Sequence, residues 1–188
     1  MRLLGLLVSG LVMFSLTAGS LLAADADKAK KQAEIQKMAQ AALPDFYKAK
    51  ATLKADVEKA PGYAVFSTFG LSFVIGGSGG KGLVHDNKAG KDTFMHQAQA
   101  SAGVQAGIAQ NRTLIVFKSA ATLNRFIENG WDVGAGGGAG GAIEGKGAGG
   151  AAGGGFASET EVYTLTRTGL QAGFAAAGAK FWKDKDLN

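Results

Sequence analysis

"IGGSGGKG", residues 75–82, reads in three ways, and the choice between them decides the fold. Gly76, Ser78 and Gly80 satisfy G-x-S-x-G, the pattern of a hydrolase nucleophile elbow, and Gly77, Gly79 and Gly82 satisfy G-x-G-x-x-G, that of a phosphate-cradling turn. The third reading is a glycine-rich strand or hairpin. An elbow needs a strand, a sharp turn and a helix that lifts the serine. "LSFVI" before Ser78 is strand-like, but so is "KGLVHD" after it, and the histidines, His85 and His96, stand in no informative spacing to the serine. A phosphate turn needs a helix starting at its last glycine, and no helical pattern follows Gly82. The same pattern recurs at Gly136, Gly138 and Gly141 and at Gly145, Gly147 and Gly150. The chain has 30 glycines in 188 residues, well above the usual share of about 7%, so composition alone generates such matches. A Walker loop fails because Ile75 stands at its first glycine and Gly82 at its Ser/Thr. We therefore read 75–82 as a glycine-rich strand or turn and expect a non-enzymatic protein with no catalytic residue.

Working outward, the chain upstream has helical period. In "DADKAKKQAEIQKMAQAAL", Ile35, Met38, Ala39 and Ala42 form one apolar stripe, with Lys30, Glu34 and Lys37 on the far side. Pro44 is expected to break this helix and Asp45 to help start another, whose stripe is Phe46, Ala49, Leu53, Val57 and Ala60, ending at Pro61-Gly62. After Gly62 the period becomes two. "QAQASAGVQAGIAQ" (97–110) alternates Ala98, Ala100, Ala102, Val104, Ala106 and Ile108 against Gln97, Gln99, Ser101 and Gln105, and reads as one long half-buried strand. "RTLIVFK" (112–118) reads as a second strand joined through Asn111. Ser119 can cap a short helix over "AATLNRFIEN", with Leu123, Phe126 and Ile127 inward and Gly130 as its stop. "EVYTLTRTG" (161–169) alternates again, and "LQAGFAAAGAKFW" can pair back on it. The expectation is α+β: amphipathic N-terminal helices, then a mainly antiparallel Gly/Ala-rich sheet closing into a barrel or sandwich, with one short helix inserted.

The ends and the middle add further expectations. "MRLLGLLVSGLVMFSLTAGSLLAADA" has one early charge, Arg2, an apolar run and an A-x-A site, so residues 1–24 read as a signal peptide cleaved after Ala24 or Ala26. The competing reading is an uncleaved anchor of near-spanning length. Residues 25–62 form the helical region and 63–188 the β-rich domain. Residues 134–155 hold 13 glycines in 22 positions. They read either as a flexible loop or as the arms of a Gly/Ala hairpin with a mobile middle. With no cysteine, disulfides, thiol chemistry, Cys–zinc sites and a lipobox anchor are excluded. Two histidines eleven residues apart offer no metal cluster, and no cofactor is expected.

Three ordered blocks resemble one family. "APGYAVFSTFGLSFVIGGSGGKGLV" is similar to the opening motif of the SYLF domain family, through its A-V-F strand and then Phe73, Ile75, Gly76, Gly77, Gly80, Gly82 and Val84. "GVQAGIAQNRTLIVFKSAATLNRF" resembles the family's G-x-Q-x-G strand, aliphatic strand and short helix, and "EVYTLTRTGLQAGFAAAGAKF" its closing tyrosine strand and hairpin. The resemblance covers roughly residues 45–183. Ser67 replaces a common proline, and Leu71-Ser72 a usual glycine pair. The resemblance implies a lipid-binding module, of which some eukaryotic members bind actin.

The formal charge of +5 and pI near 9.4 favour anionic partners. The leading expectation is an exported protein of the periplasm or cell envelope, membrane-associated through anionic phospholipid, with another envelope protein as a further partner and no nucleic acid. Its candidate contacts are Lys30, Lys31, Lys37, Lys48, Lys50, Lys54 and Lys81, with Phe181 and Trp182 as an interfacial aromatic pair. The alternatives are an actin-regulator-like protein-binding module and a structural glycine-rich envelope component.

Overall fold

A strand without side chains at alternate positions lets its neighbours' rings close over it, and this sets the shape of the sheet. The computed structural model describes residues 15–72, 75–102, 107–132, 159–166, 169–172 and 179–188. Helices α1 (Ser15–Ala49) and α2 (Thr52–Lys59) come first. Strands β1 (Gly62–Ser72), β2 (Ile75–Asp86), β3 (Lys91–Ala102) and β4 (Gly107–Phe117) follow, then α3 (Ala120–Asn129), β5 (Trp131–Asp132), β6 (Thr160–Thr166), β7 (Gly169–Ala172) and β8 (Ala179–Lys183). The strands form one antiparallel sheet in the order β5-β8-β3-β2-β1-β4-β6-β7.

Residues 75–82 are therefore strand, not turn. Gly82 pairs with Phe66 on one side and Met95 on the other, and Gly80 with Thr68 and Gln97. A Cβ on Gly82 would overlap the Val65 carbonyl oxygen, lie 2.8 Å from Phe66 Cα and meet the Phe66 ring at 2.5 Å. The Phe66 ring thus lies over Gly82. Phe66 on β1 and Phe181 on β8 are three strands apart, about 14 Å in a flat sheet. Their ring centroids stand 4.8 Å apart, so the sheet is coiled about this face. Phe126 of α3 closes the cluster, 6.4 Å from Phe66 and 5.5 Å from Phe181, with Phe117, Met95, Leu123 and Trp131 around it.

The other, convex face is covered by α1 and α2. Ile35, Ala39, Ala42 and Phe46 of α1 and Leu53 and Val57 of α2 pack on Val65, Leu83, Phe94, Leu114, Val116 and Tyr163. The expected apolar stripe is there, except that Ala49 is exposed. The expected break at Pro44 is not, since α1 runs through it to Ala49. Pro44 and Gln40, whose carbonyl loses its partner, are both exposed, so water can take the hydrogen bond. Phe46, 0% exposed, holds the helix to the sheet beyond the proline. The chain turns instead at Lys50–Ala51, and Asn87 closes α2 by donating to the carbonyls of Val57 and Ala60 at 2.8 Å each.

Other corrections concern the strands. Residues 97–102 end β3 and 107–110 begin β4, and these two strands are not neighbours, so 97–110 is not one strand. Asn111 is no joint, because β4 runs through it. β7 does pair back on β6, but β8 joins β3 on the far side of the sheet. No barrel closes among the described residues, whose outer strands are β5 and β7, and the layered, sandwich-like alternative is the one that fits. The expected helix 120–129 stands, with Ser119 accepting from the Thr122 amide at 3.2 Å and Gly130 at φ 67° ending it. Residues 1–14 of the expected signal peptide and the 134–155 segment lie outside the described residues. The expected cleavage point falls within α1.

These glycines make separable demands. Gly82→Ala is expected to cost about 1–3 kcal/mol, as overpacking does. Gly79→Ala, whose Cβ would meet nothing within 4 Å, is expected to stay within about 0.5 kcal/mol of wild type. Urea unfolding of the two variants checks the contrast.

Candidate functional site

The lysines of α1 are placed by helical geometry. Lys30, Lys37 and Lys48 are all exposed. At about 100° per residue, spacings of seven and eleven return them to within about 20° of one line. That line lies opposite Ile35, Ala39, Ala42 and Phe46, which face the sheet. Because α1 does not break at Pro44, the ridge runs about 27 Å from Lys30 to Lys48 at about 1.5 Å per residue. Lys31 sits off the ridge and pairs with Asp27 at 2.5 Å. This contact lowers the Asp27 pKa and raises that of Lys31. Lys54 of α2 is exposed.

Lys50 is committed elsewhere. It donates to the Tyr163 hydroxyl at 2.8 Å and lies 4.7 Å from the centre of that ring. Tyr163 in turn donates to Glu161 at 2.7 Å, and Lys118 pairs with the other Glu161 oxygen at 3.0 Å. The Tyr163 hydrogen bond keeps Lys50 charged to higher pH, and the bonds from Tyr163 and Lys118 hold Glu161 below the usual carboxylate range. Burial pushes the Tyr163 hydroxyl up. This chain ties the C-terminal end of α1 to β6 and β4.

Strand alternation splits the expected aromatic pair. Phe181 is 1% exposed in the concave-face core, so it cannot serve as an interfacial anchor. Trp182, 40% exposed, points to the opposite face. There it stands in register with His96, which stands in register with Lys81, giving one cross-strand row over β8, β3 and β2. The indole stacks on the His96 ring at 5.3 Å and 26°. His96 Nε2 contacts buried Asp184 at 2.9 Å, and Asp184 accepts from the amides of Asp186 and Leu187. The row was not visible in the sequence, because no local signal encodes register across three strands.

The second histidine has a structural setting. His85 Nδ1 lies 2.7 Å from Asp92, whose other oxygen accepts from Gln36 of α1 at 2.7 Å. Ser78 lies in mid-strand, paired with Gly70 and Gln99. His85 and His96 both lie on the α1 face. Among the described residues no three metal-ligating side chains gather, and no helix is long and apolar enough to cross a membrane.

No family model matches the chain. It is 30% identical over 164 residues to a protein named Beta cell expansion factor A from Aeromonas veronii. The alignment takes in 85% of this chain and 60% of that protein, so the chain spans about 60% of the length of the curated relative it matches.

Lys50 separates structural from surface lysines. Lys50→Ala is expected to lower stability by about 1 kcal/mol, the net worth of one hydrogen bond. Lys54→Ala should leave stability unchanged within about 0.5 kcal/mol. Thermal and urea unfolding at neutral pH measure both. Because the Glu161 pKa is lowered in the fold, its contribution is present above the usual carboxylate range and fades as pH falls through the folded value. Glu161→Gln should therefore flatten the acid limb of the stability curve.

Proposed function

We propose that the protein is an exported, non-enzymatic component of the cell envelope that binds anionic phospholipid surfaces through the outer face of α1. The Lys30–Lys37–Lys48 ridge carries this reading: three exposed cations on one straight line about 27 Å long, with nothing packed on them among the described residues. Lys54, also exposed, adds to the basic surface near the end of α1. The resemblance to the SYLF family supports the lipid-surface reading, and the 30% identity to a protein named Beta cell expansion factor A extends over 85% of the chain. The mid-strand position of residue 78, with strand and not helix after it, supports the same non-enzymatic reading.

Vesicle co-sedimentation tests the surface. Binding is expected to anionic and not to zwitterionic vesicles, and to weaken as salt shortens the Debye length from about 10 Å at 0.1 M to about 3 Å at 1 M. Each lysine near an anionic surface is worth about fivefold in affinity. Reversing Lys30, Lys37 and Lys48 to glutamate should thus lower binding by about a hundredfold or more, with an unchanged unfolding curve. A triple variant that binds like wild type removes α1 as the contact. Wild type that sediments with no vesicle leaves a protein partner or a structural role as the better account.

Export has its own test. The first described contact of α1 with the rest of the chain is made by Lys28, which donates to the Asn188 carbonyl at 3.1 Å. Cleavage after Ala24 or Ala26 removes none of the described tethers. Mass spectrometry of the envelope fraction is expected to find an N-terminus at Asp25 or Asp27, and an intact Met1 overturns the leader.

A further inference from the structure

The stripe by which α1 faces the rest of the chain changes chemistry at Ile35. From Ile35 onward it is apolar and buried, with Ala39, Ala42 and Phe46. Gln32 and Lys28, three and seven residues before Ile35, continue the same line with polar side chains. None of residues 25–34 is buried, and Lys28 and Gln32 are the two that are half-buried. Both reach one partner, residues 184–188. Lys28 donates to the Asn188 carbonyl at 3.1 Å and Gln32 to the Leu187 carbonyl at 2.7 Å. A helix end with so little buried opens as readily as its tethers allow.

The receiving segment is the rigid partner. Asp184, 4% exposed, accepts from the amides of Asp186 and Leu187 at 3.0 and 3.1 Å and contacts His96 Nε2 at 2.9 Å. Its carboxylate thus folds residues 184–187 into a turn and anchors the turn to β3. Leu187 is buried in the core beneath α1, and the Asn188 side chain bonds both backbone groups of Phe94. The two carbonyls offered to α1 are therefore placed by a carboxylate that has no described hydrogen bond to α1 itself. Charge favours the same docking. The Asp27 hydrogen bond is the main cause of the raised Lys31 pKa, and Asp186 and Asp184 add to it across the junction. We propose that residues 184–188 form a latch on α1: Asp184 sets the turn, the turn holds Gln32 and Lys28, and opening the latch frees residues 25–34 while Ile35–Phe46 stays on the sheet. Lys30 rides on the stretch that is freed, so the closed latch keeps it in line with Lys37 and Lys48 and the open latch releases it. The latch is a property of the fold and stands whether or not α1 meets a membrane.

Hydrogen exchange of the full chain, read peptide by peptide in a mass spectrometer, tests it. Asp184→Ala should speed exchange within residues 25–34 by about fivefold, the equivalent of one hydrogen bond, and leave Ile35–Phe46, β1 and β2 unchanged. Gln32→Ala should speed the same stretch from the α1 side, although alanine is the better helix former. The double variant should match Asp184→Ala, because both changes cut one connection. Asp184→Asn, which keeps an acceptor for the two amides, should fall between wild type and Asp184→Ala. The latch is overturned if residues 25–34 of wild type already exchange like an unstructured chain, or if Asp184→Ala leaves their rate as it was. It is equally overturned if the two single effects add in full. A rise in Asp184→Ala that spreads evenly over α1 and the sheet also overturns it, and makes Asp184 a general support of the fold.

Discussion

Phe66 and Phe181 touch across β3 and β2, of which β2 presents only Gly80 and Gly82 beneath them, and much of the architecture follows from that contact. Gly80 and Gly82 occupy the positions of β2 between the two rings, and a methyl group at either would run into the backbone of β1. Bringing residues three strands apart to a centroid distance of 4.8 Å coils the sheet. The concave side then becomes a pocket of aromatic side chains that a single short helix, α3, can close with Leu123 and Phe126. The convex side falls away from any straight rod laid on it. α1 packs on Leu83, Phe94, Leu114 and Tyr163, and leaves the row of Lys81, His96 and Trp182 uncovered. That uncovered row is thus a consequence of the same coil that the glycines permit.

α1 is held in two different ways along its length. Between Ile35 and Phe46 it is held by apolar burial. Before Ile35 its described tethers are polar: Lys28 donates to the Asn188 carbonyl at 3.1 Å and Gln32 to that of Leu187 at 2.7 Å. Those last residues are themselves fixed to β3. The Asn188 side chain accepts from the Phe94 amide at 2.9 Å and donates to the Phe94 carbonyl at 2.7 Å, as a neighbouring strand would. Leu187, 3% exposed, adds an apolar pin. Hydrogen bonds of this partly exposed kind contribute about 1 kcal/mol each, much less than a buried aromatic ring. The stretch of α1 around Lys28 and Gln32 is therefore the part of its described attachment most easily lost.

What the sequence made legible was local. Ser119, the Leu123/Phe126 spacing and Gly130 mark α3 within twelve residues, and each signal acts through its own neighbours. The stripe of α1 and its outer lysines follow from a 3.6-residue period. Pro44 misled because the cost of one lost hydrogen bond is local, whereas the burial of Phe46 that outweighs it is tertiary. Residues 97–110 misled because alternation of alanine with glutamine continues from the end of β3 into the start of β4, and period two carries no mark of chain reversal. Glycines 76–82 were ambiguous between turn and strand until the rings over them were known. Phe181 and Trp182 are adjacent, so one had to face inward, but only the pairing of β8 with β3 shows which.

The lysine ridge and the cross-strand row are kept apart by height. α3 presents Arg125 and Glu128 outward, a balanced pair, whereas the outer line of α1 presents Lys30, Lys37 and Lys48 with Glu34 beside them, a ridge of net positive charge. A helix with its side chains is about 10–12 Å across, so the ridge stands roughly 10 Å above the sheet on which Trp182 lies. A flat anionic surface resting on the ridge would meet the lysines at contact and Lys81 only across about one Debye length at physiological salt. The indole stands in the same cross-strand row as Lys81 and so would not enter such a surface without tilting the molecule. Long-range attraction to negative charge can thus be shared by both. Close contact would separate them: an extended plane would meet the ridge first and reach the cross-strand row only at long range.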